Sequence, residues 1–309
     1  MSATLKLDPK LCSVCIATPH TTPLSSGSAF VRSIRRVFFE LDRRGAVVEF
    51  DDELERLVVE AREHISLEQD VVRARSRILR TFEERGRAEW LAWWDDDVSL
   101  DDPGAAPFVN MIALGVEHDL DAIGAIIPRK HFDEPALIRA MRWALNTEAM
   151  AAIGKVSASD RQIAKEILEH PLRWAFSING FALSKLRATP GYKPPHPALW
   201  KVDQLGFGCC LLRRRAVRRV LESYRDELWT NDPILGGKTI VPFLLEIERS
   251  ERRGLLSEDN AFWNRYGAIG GELFAYVGPG ADRFVHTGTH GYSADLRVFD
   301  PPWKGQDHA

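Results

Sequence analysis

The stretch Trp90-Leu91-Ala92-Trp93-Trp94-Asp95-Asp96-Asp97 decides how this chain is read. Its uncharged, bulky first part reads as a buried strand, and the run stops in three consecutive aspartates. A strand that ends so abruptly delivers carboxylates to the carboxyl edge of a sheet, which is where ligands bind in doubly wound α/β proteins. Three like charges in a row repel one another, and a divalent cation or another electropositive ligand relieves the repulsion. A solvated turn is the competing reading, because Asp is common in turns.

On the N-terminal side, Ser13 to Thr18 is an apolar strand followed by a Thr/Ser/Pro/Gly loop from Pro19 to Gly27. Phe30, Ile34, Val37, Phe38 and Leu41 then repeat at helical spacing, with Gly45 as a stop signal. Ala46 to Phe50 is a second strand ending in Asp51-Asp52, and a charged helix spans about Glu68 to Arg85. Beyond the aspartates, Asp121 to Ile127 is the next strand. The repeated β-α-β order predicts an α/β fold with a mostly parallel central sheet flanked by helices.

The second half is less regular. Glu134 to His170 reads as helical, Ala188 to Pro197 as a proline-rich loop, Gly206 to Leu212 as a strand and Arg213 to Tyr224 as a basic helix. The proline-rich loop is either a lid or a plain surface excursion. No repeat or evident linker interrupts the chain, so one compact domain over residues 1–300 is expected, with a tail at 301–309.

Composition narrows the classes. The chain has 309 residues, 45% hydrophobic and 28% charged, enough for a sizeable core. A formal net charge of −3 argues against nucleic acid bound through overall charge. No apolar run approaches the ~18 to 20 residues that span a bilayer, and the first residues lack the apolar core of a signal peptide, so a cytoplasmic protein is expected. Four cysteines are too few for a disulfide scaffold. Cys12 and Cys15 with Cys209 and Cys210 suggest zinc only superficially: adjacent strand residues face opposite sides, which favours core packing. Among the tryptophans, Trp174, Trp200 and Trp263 could stack on sugar rings, although a core role suits any one of them better.

Two further patterns join the aspartates. In Leu255–Phe262, Ser257 can cap a helix whose first turn holds Glu258 and Asp259, where the helix dipole favours negative charge. In Phe284–His290, His286 follows an apolar pair and precedes Gly288, a place for a metal ligand or for a hydrogen-bonded turn residue.

Taken in order, Ser13–Pro19, Trp93–Val98, Val202–Arg213, Leu256–Phe262, Gly270-Gly271 and Val285–Gly288 resemble the nucleotide-sugar-dependent glycosyltransferases of the GT-A fold. Within that fold the chain is most similar to the broad inverting, family-2-like group. The resemblance covers roughly residues 11 to 297, with no counterpart for about Glu134 to Trp200. It implies a Rossmann-like nucleotide-binding half over about 11–130 and an acceptor-side half over about 131–300.

It also implies chemistry. Asp95-Asp96-Asp97 would be the DxD motif, with Asp97 binding Mn²⁺ or Mg²⁺, Asp95 or Asp96 contacting ribose or metal-bound water, and His286 a later metal ligand. Such a cation neutralises the charge that develops on a nucleotide diphosphate leaving group. Thr18 and Pro19 would lie beside the base or ribose of a UDP- or GDP-sugar, with Glu49 or Asp51 weaker candidates. Arg75 matches a basic position near the diphosphate, an exposed helix charge being the other reading. Asp259 would take the acceptor proton, with Glu258 holding the acceptor or sharing the role. Asn260-Ala261 departs from the aromatic that relatives often carry there.

The acceptor, whether glycan, lipid-linked sugar, protein or small molecule, is not written in the sequence, nor is oligomeric state. A retaining transferase of the same fold would need no dedicated base. A sugar nucleotidyltransferase would carry a basic, glycine-rich phosphate loop, and residues 19–27 hold no Lys or Arg. An inactive scaffold of the same fold would have no reason to keep Asp97, Asp259 and His286 together.

Overall fold

The computed structural model describes residues 13–17, 29–44, 48–49, 67–85, 87–95, 97–102, 105–132, 134–174, 176–178, 182–183, 193–231, 236–244, 246–247, 255–287 and 291–292. Readings that fall on Cys12, Thr18, Pro19, Asp51, Asp96, residues 188–192 and the tail lie outside them.

The elements run β1 (Val14–Ala17), α1 (Ala29–Arg43), β2 (Val48–Glu49), α2 (Leu67–Arg85), β3 (Trp90–Trp94), β4 (Val98–Leu100), α3 (Ala106–Glu117), β5 (Ala122–Ala125), β6 (Pro128–Phe132), α4 (Glu134–Ala151) and α5 (Ala158–Glu169). There follow β7 (Phe176–Ile178), β8 (Ala182–Leu183), β9 (Leu199–Gln204), β10 (Cys209–Arg213), α6 (Arg214–Ser223), β11 (Trp229–Asn231), β12 (Lys238–Ile240), β13 (Glu246–Ile247), β14 (Leu255–Leu256), α7 (Glu258–Ala268), β15 (Leu273–Tyr276), β16 (Phe284–Thr287) and β17 (Gly291–Tyr292). Among the described residues no helix is long and apolar enough to cross a membrane.

The main sheet is eight-stranded among the described residues, in the order β2-β1-β3-β10-β5-β15-β9-β8. β1, β2, β3, β5, β15 and β8 run one way, while β10 and β9 run the other. The fold is therefore mixed α/β, and the expectation of a mostly parallel sheet needs correcting at the level of contacts. Reversed β10 sits between β3 and β5, and reversed β9 between β15 and β8, so four of the seven pairings are antiparallel.

Strand alternation sorts the core. Val14, Ile16, Trp90, Ala92, Trp94, Cys209 and Leu211 face one side with α1 and α3, through Ile34, Val37, Leu41, Phe108 and Ile112. Cys15, Ala17, Leu91, Trp93, Cys210 and Leu212 face the other with α2, α6 and α7, through Ile78, Phe82, Val217, Phe262 and Trp263. A strand covered on both faces has to be apolar throughout, which is why β3 and β10 carry no alternating polar residues. Trp90, Trp93 and Trp94 are fully buried, and truncating one to Ala should cost about 3–5 kcal/mol. Cys209 and Cys210 belong to opposite cores, so they pack rather than chelate together.

The expected helix from Glu134 to His170 is two helices, α4 and α5, which pack on each other through Ala140, Ala144, Ala164 and Ile167. The break falls at Gly154, which takes a left-handed φ of 70°, and at Ser157, whose hydroxyl accepts from the Asp160 N–H and caps α5.

Candidate functional site

Topology selects one edge of the sheet. The chain goes from β1 outward to β2, then returns across β1 to β3 on its other side, so the direction of winding reverses beside β1. In open α/β sheets the crevice at the carboxyl ends of the strands flanking such a switch is the ligand site. β3 ends there in Asp95.

A hydrogen bond between Val98 and Asp95 closes the chain just past β3. The Val98 N–H donates to the Asp95 carbonyl at 3.1 Å, and the buried Trp94 indole N–H donates to the Val98 carbonyl at 2.9 Å. The Asp95 N–H donates to the Gly208 carbonyl at 3.0 Å. A Cβ at Gly208 would stand 2.9 Å from Ile127 and 3.2 Å from Val98, so glycine lets the entry to β10 approach this turn. Turn and strand edge are thus one feature.

The turn leads into β4, which pairs antiparallel with β16 in the register His286 opposite Val98. That register carries a residue from far along the chain to the acidic turn: His286 Nε2 lies 3.3 Å from Asp97 Oδ2. The other ring nitrogen, Nδ1, is 2.8 Å from the Pro128 carbonyl. A carbonyl oxygen only accepts, so Nδ1 carries the hydrogen, and in a neutral ring Nε2 then presents a lone pair to the Asp97 carboxylate. Two acceptors facing each other require a proton or a cation between them. The Pro128 carbonyl thus fixes the orientation of the His286 ring toward Asp97.

The second group centres on Arg75, on α2. Its side chain is 5% exposed and meets Asp95 Oδ2 at 3.4 Å, Glu258 Oε1 at 3.4 Å and Asp259 Oδ1 in a close ion pair. Its guanidinium also lies 5.3 to 5.8 Å from the ring centroids of Trp93, Phe207 and Phe243. Burial disfavours its charge, but the Asp259, Asp95 and Glu258 carboxylates more than offset this and hold its pKa above the ordinary arginine value. Arg75 is therefore not an exposed helix charge.

α7 supplies the last two carboxylates. Ser257 accepts from the Asn260 N–H at 3.4 Å, which places Glu258 and Asp259 in the first turn as expected. Asp259 Oδ2 accepts from the Phe207 N–H at 3.2 Å. A carboxylate offers about four lone-pair positions, and the Asp259 side chain keeps 20% of its surface exposed, so acceptor capacity remains.

The structure thus gathers Arg75, Asp95, Glu258 and Asp259 into one cluster and Asp97 with His286 into a pair at the same turn. Glu49 ends the short strand β2, described in its backbone alone, while Thr18, Pro19, Asp51 and Asp96 fall outside the described residues. Among the described residues no three His, Cys, Asp or Glu side chains form a ready metal cage. The aromatic box of Trp93, Phe207 and Phe243 was not foreseen. Trp93 and Phe207 stand within quoted motifs, whereas nothing around Phe243 signals a site. Trp263 takes the core role, 1% exposed and stacked on Phe207 at 4.6 Å.

No family model and no curated protein matches the chain. Among solved structures it is similar to A197 from STIV, at 10% identity over 90% of this chain and 95% of that one, with a TM-score of 0.34. It is also similar to a glycosyltransferase involved in the glycosylation of the major capsid of PBCV-1, at 12% identity over 70% of this chain and 68% of that one, with a TM-score of 0.28. Likenesses at that level fix no family, and the functional reading rests on the site's own chemistry.

Proposed function

We propose that this protein is a metal-dependent glycosyltransferase of GT-A type that moves a sugar from a nucleotide-diphosphate sugar to an acceptor hydroxyl with inversion. The observation that carries the reading is the pair of acceptors, Asp97 Oδ2 and His286 Nε2, facing each other at 3.3 Å beside the topological switch point. One carboxylate and one neutral imidazole suit Mn²⁺ or Mg²⁺, which complete their shell with phosphate and water oxygens. Bound there, the cation supplies Lewis-acid neutralisation of the leaving diphosphate.

The remaining roles belong to the chain. Asp259 accepts the proton of the acceptor hydroxyl as that oxygen bonds to the anomeric carbon and the bond from that carbon to the diphosphate oxygen breaks. Glu258, beside it on the same helix turn, binds the acceptor. Arg75 offsets the negative charge gathered by Asp95, Glu258 and Asp259, which otherwise would repel an anionic donor. Thr18 and Pro19 would lie beside the base or ribose, and Asp95 or Asp96 would contact ribose or metal-bound water.

The test is a panel of nucleotide sugars incubated with Mn²⁺ and assayed for release of nucleoside diphosphate, since donor hydrolysis needs no acceptor. The proposal expects hydrolysis of at least one UDP- or GDP-sugar, abolished by chelator and by Asp97→Ala. Hydrolysis that persists unchanged in excess chelator would sink it.

A further inference from the structure

Residues 241–244 form a turn just after β12, closed by the Leu244 N–H donating to the Val241 carbonyl at 3.0 Å, with Pro242 second in the turn, where its fixed φ is favoured. Turns run over the surface as a rule, and Leu244 is 45% exposed. Phe243, beside it, is fully buried. Polar clamps hold this inverted turn in place. The Val241 N–H donates to the Leu228 carbonyl at 2.8 Å, which extends the pairing of β11 with β12. From α7, the buried Arg265 guanidinium donates to the Pro242 carbonyl at 2.8 Å and the Leu244 carbonyl at 2.5 Å, one on each side of Phe243. From α2, Arg80 donates to the Gly236 carbonyl at 3.0 Å and to the Thr239 hydroxyl at 2.9 Å. The turn is thereby tied to the helix that bears Arg75 and to the helix that bears Asp259.

So pinned, the Phe243 ring stacks on Phe262 at 4.6 Å and meets Phe207 edge-on at 5.1 Å, with its centroid 5.8 Å from the Arg75 guanidinium. Trp93 lies on β3 and Phe207 in the connection from β9 to β10, so two walls of the Arg75 box belong to the sheet. The third wall is brought in from outside it.

We propose that Phe243 is a positioning residue for the acidic cluster: it closes the box around Arg75 and so aims the guanidinium at Asp95, Glu258 and Asp259. Aromatic faces attract a cation without offering it strong hydrogen-bond acceptors, so the N–H groups of Arg75 remain for the carboxylates. The consequence for turnover rests on the transferase reading, in which Asp259, held by Arg75 and by the Phe207 N–H, is the base. Loss of the ring gives Arg75 room to turn away, and misplacing a reacting group by about 1 Å can cost ~10²-fold in rate.

Urea unfolding of Phe243→Leu, Arg75→Met and the double variant tests the hold on Arg75 without any substrate. The loss caused by Phe243→Leu should shrink in the Arg75→Met background by about fivefold in the folding equilibrium, in line with one partly desolvated cation–π contact. Additive losses would overturn the proposal. With a nucleotide sugar that the wild type hydrolyses in Mn²⁺, Phe243→Leu should lower kcat roughly 10-fold or more and leave KM within about twofold, because Arg75 keeps its charge and the cation still holds the donor. Phe82→Leu, which trims a fully buried ring on the same helix as Arg75 that faces the Arg214 guanidinium at 4.2 Å, should leave kcat unchanged. An unchanged kcat in Phe243→Leu, or an equal fall in both variants, would overturn the proposal. A wild type that hydrolyses no nucleotide sugar would sink the transferase reading and the kinetic role with it, and the unfolding cycle would still decide whether Phe243 holds Arg75.

Discussion

Strands β3 and β10 lie side by side, and their two ends treat charge in opposite ways. At the end where β3 begins, five arginines, Arg213, Arg214, Arg215, Arg218 and Arg219, meet Glu83, Glu89, Asp119 and Asp121 in a dense web. At the end where β3 stops, Asp95, Asp97, Glu258 and Asp259 gather around Arg75, with His286 as the other basic group. The first end satisfies itself with nearly equal numbers of opposite charges. The second is acid-rich in the described residues. The basic helix α6 therefore belongs to the scaffold, while the acidic edge is the end to which the proposed chemistry is assigned.

The largest effect should come from the acid-rich end. Arg75→Met removes the cation shared by three carboxylates and should cost on the order of 3 kcal/mol; breaking a buried pair can cost more, but these carboxylates keep some contact with water. Urea unfolding measures it, and a loss under about 1 kcal/mol would mean the guanidinium does not organise the cluster. Arg75→Lys should rescue only partly, because a point charge cannot serve several carboxylates at once.

Asp259→Asn keeps the side-chain volume and an oxygen for the Phe207 N–H, yet cannot take a proton. Under the proposed mechanism it should lower transfer by ~10² to 10⁴-fold while leaving binding of Mn²⁺ and UDP unchanged. Near-normal transfer by this variant, or a product of retained configuration, would remove Asp259 as base.

The balanced end should tolerate loss far better. Asp119 sits in the left-handed region at φ 51°, a conformation Asn also adopts, so Asp119→Asn isolates the charge. Its side chain is 71% exposed, and solvent screening limits the cost to a few tenths of a kcal/mol. Hydrogen bonds from the Arg215 and Arg213 guanidinium groups hold its carboxyl below the usual carboxylate range. The stabilisation is accordingly present above the unfolded-state value of about 3.9 and is lost as pH falls through the lower folded value. Wild type and variant should therefore converge in stability at the acid end of a pH series, and a difference that grows there would contradict the assignment.

The smallest effect concerns the thiols between the two ends. Burial pushes the Cys209 and Cys210 thiols well up, so neither should react with iodoacetamide at neutral pH until the chain unfolds. Rapid alkylation of the folded protein would show that β10 opens.

How much of this the sequence reveals depends on the range of the interaction concerned. The strand that ends in Asp95 and the cap at Ser257 are local patterns, and both stand where the sequence puts them. The reversal of β10 is invisible locally, because an apolar strand carries no mark of its direction. The burial of Arg75 is also hidden: α2 is buried all round from Ala74 to Leu79, so Arg75 and Arg77 lie inside although helical charges usually mark the solvent side, and only partners 20 to 184 residues away explain Arg75. Likewise, His286 beside Asp97 depends on the pairing of β4 with β16, two short strands that no local signal couples.

The central claim is that the acid-rich end takes a divalent cation between Asp97 and His286. Calorimetric titration of the wild-type protein with Mn²⁺ in the presence of UDP, repeated on Asp97→Ala and His286→Ala, tests it most directly. Binding in the wild type, abolished by Asp97→Ala and weakened by roughly 10-fold or more by His286→Ala with little change in melting temperature, is the predicted result. Absence of Mn²⁺ binding in the wild type, or equal binding by all three proteins, would contradict it.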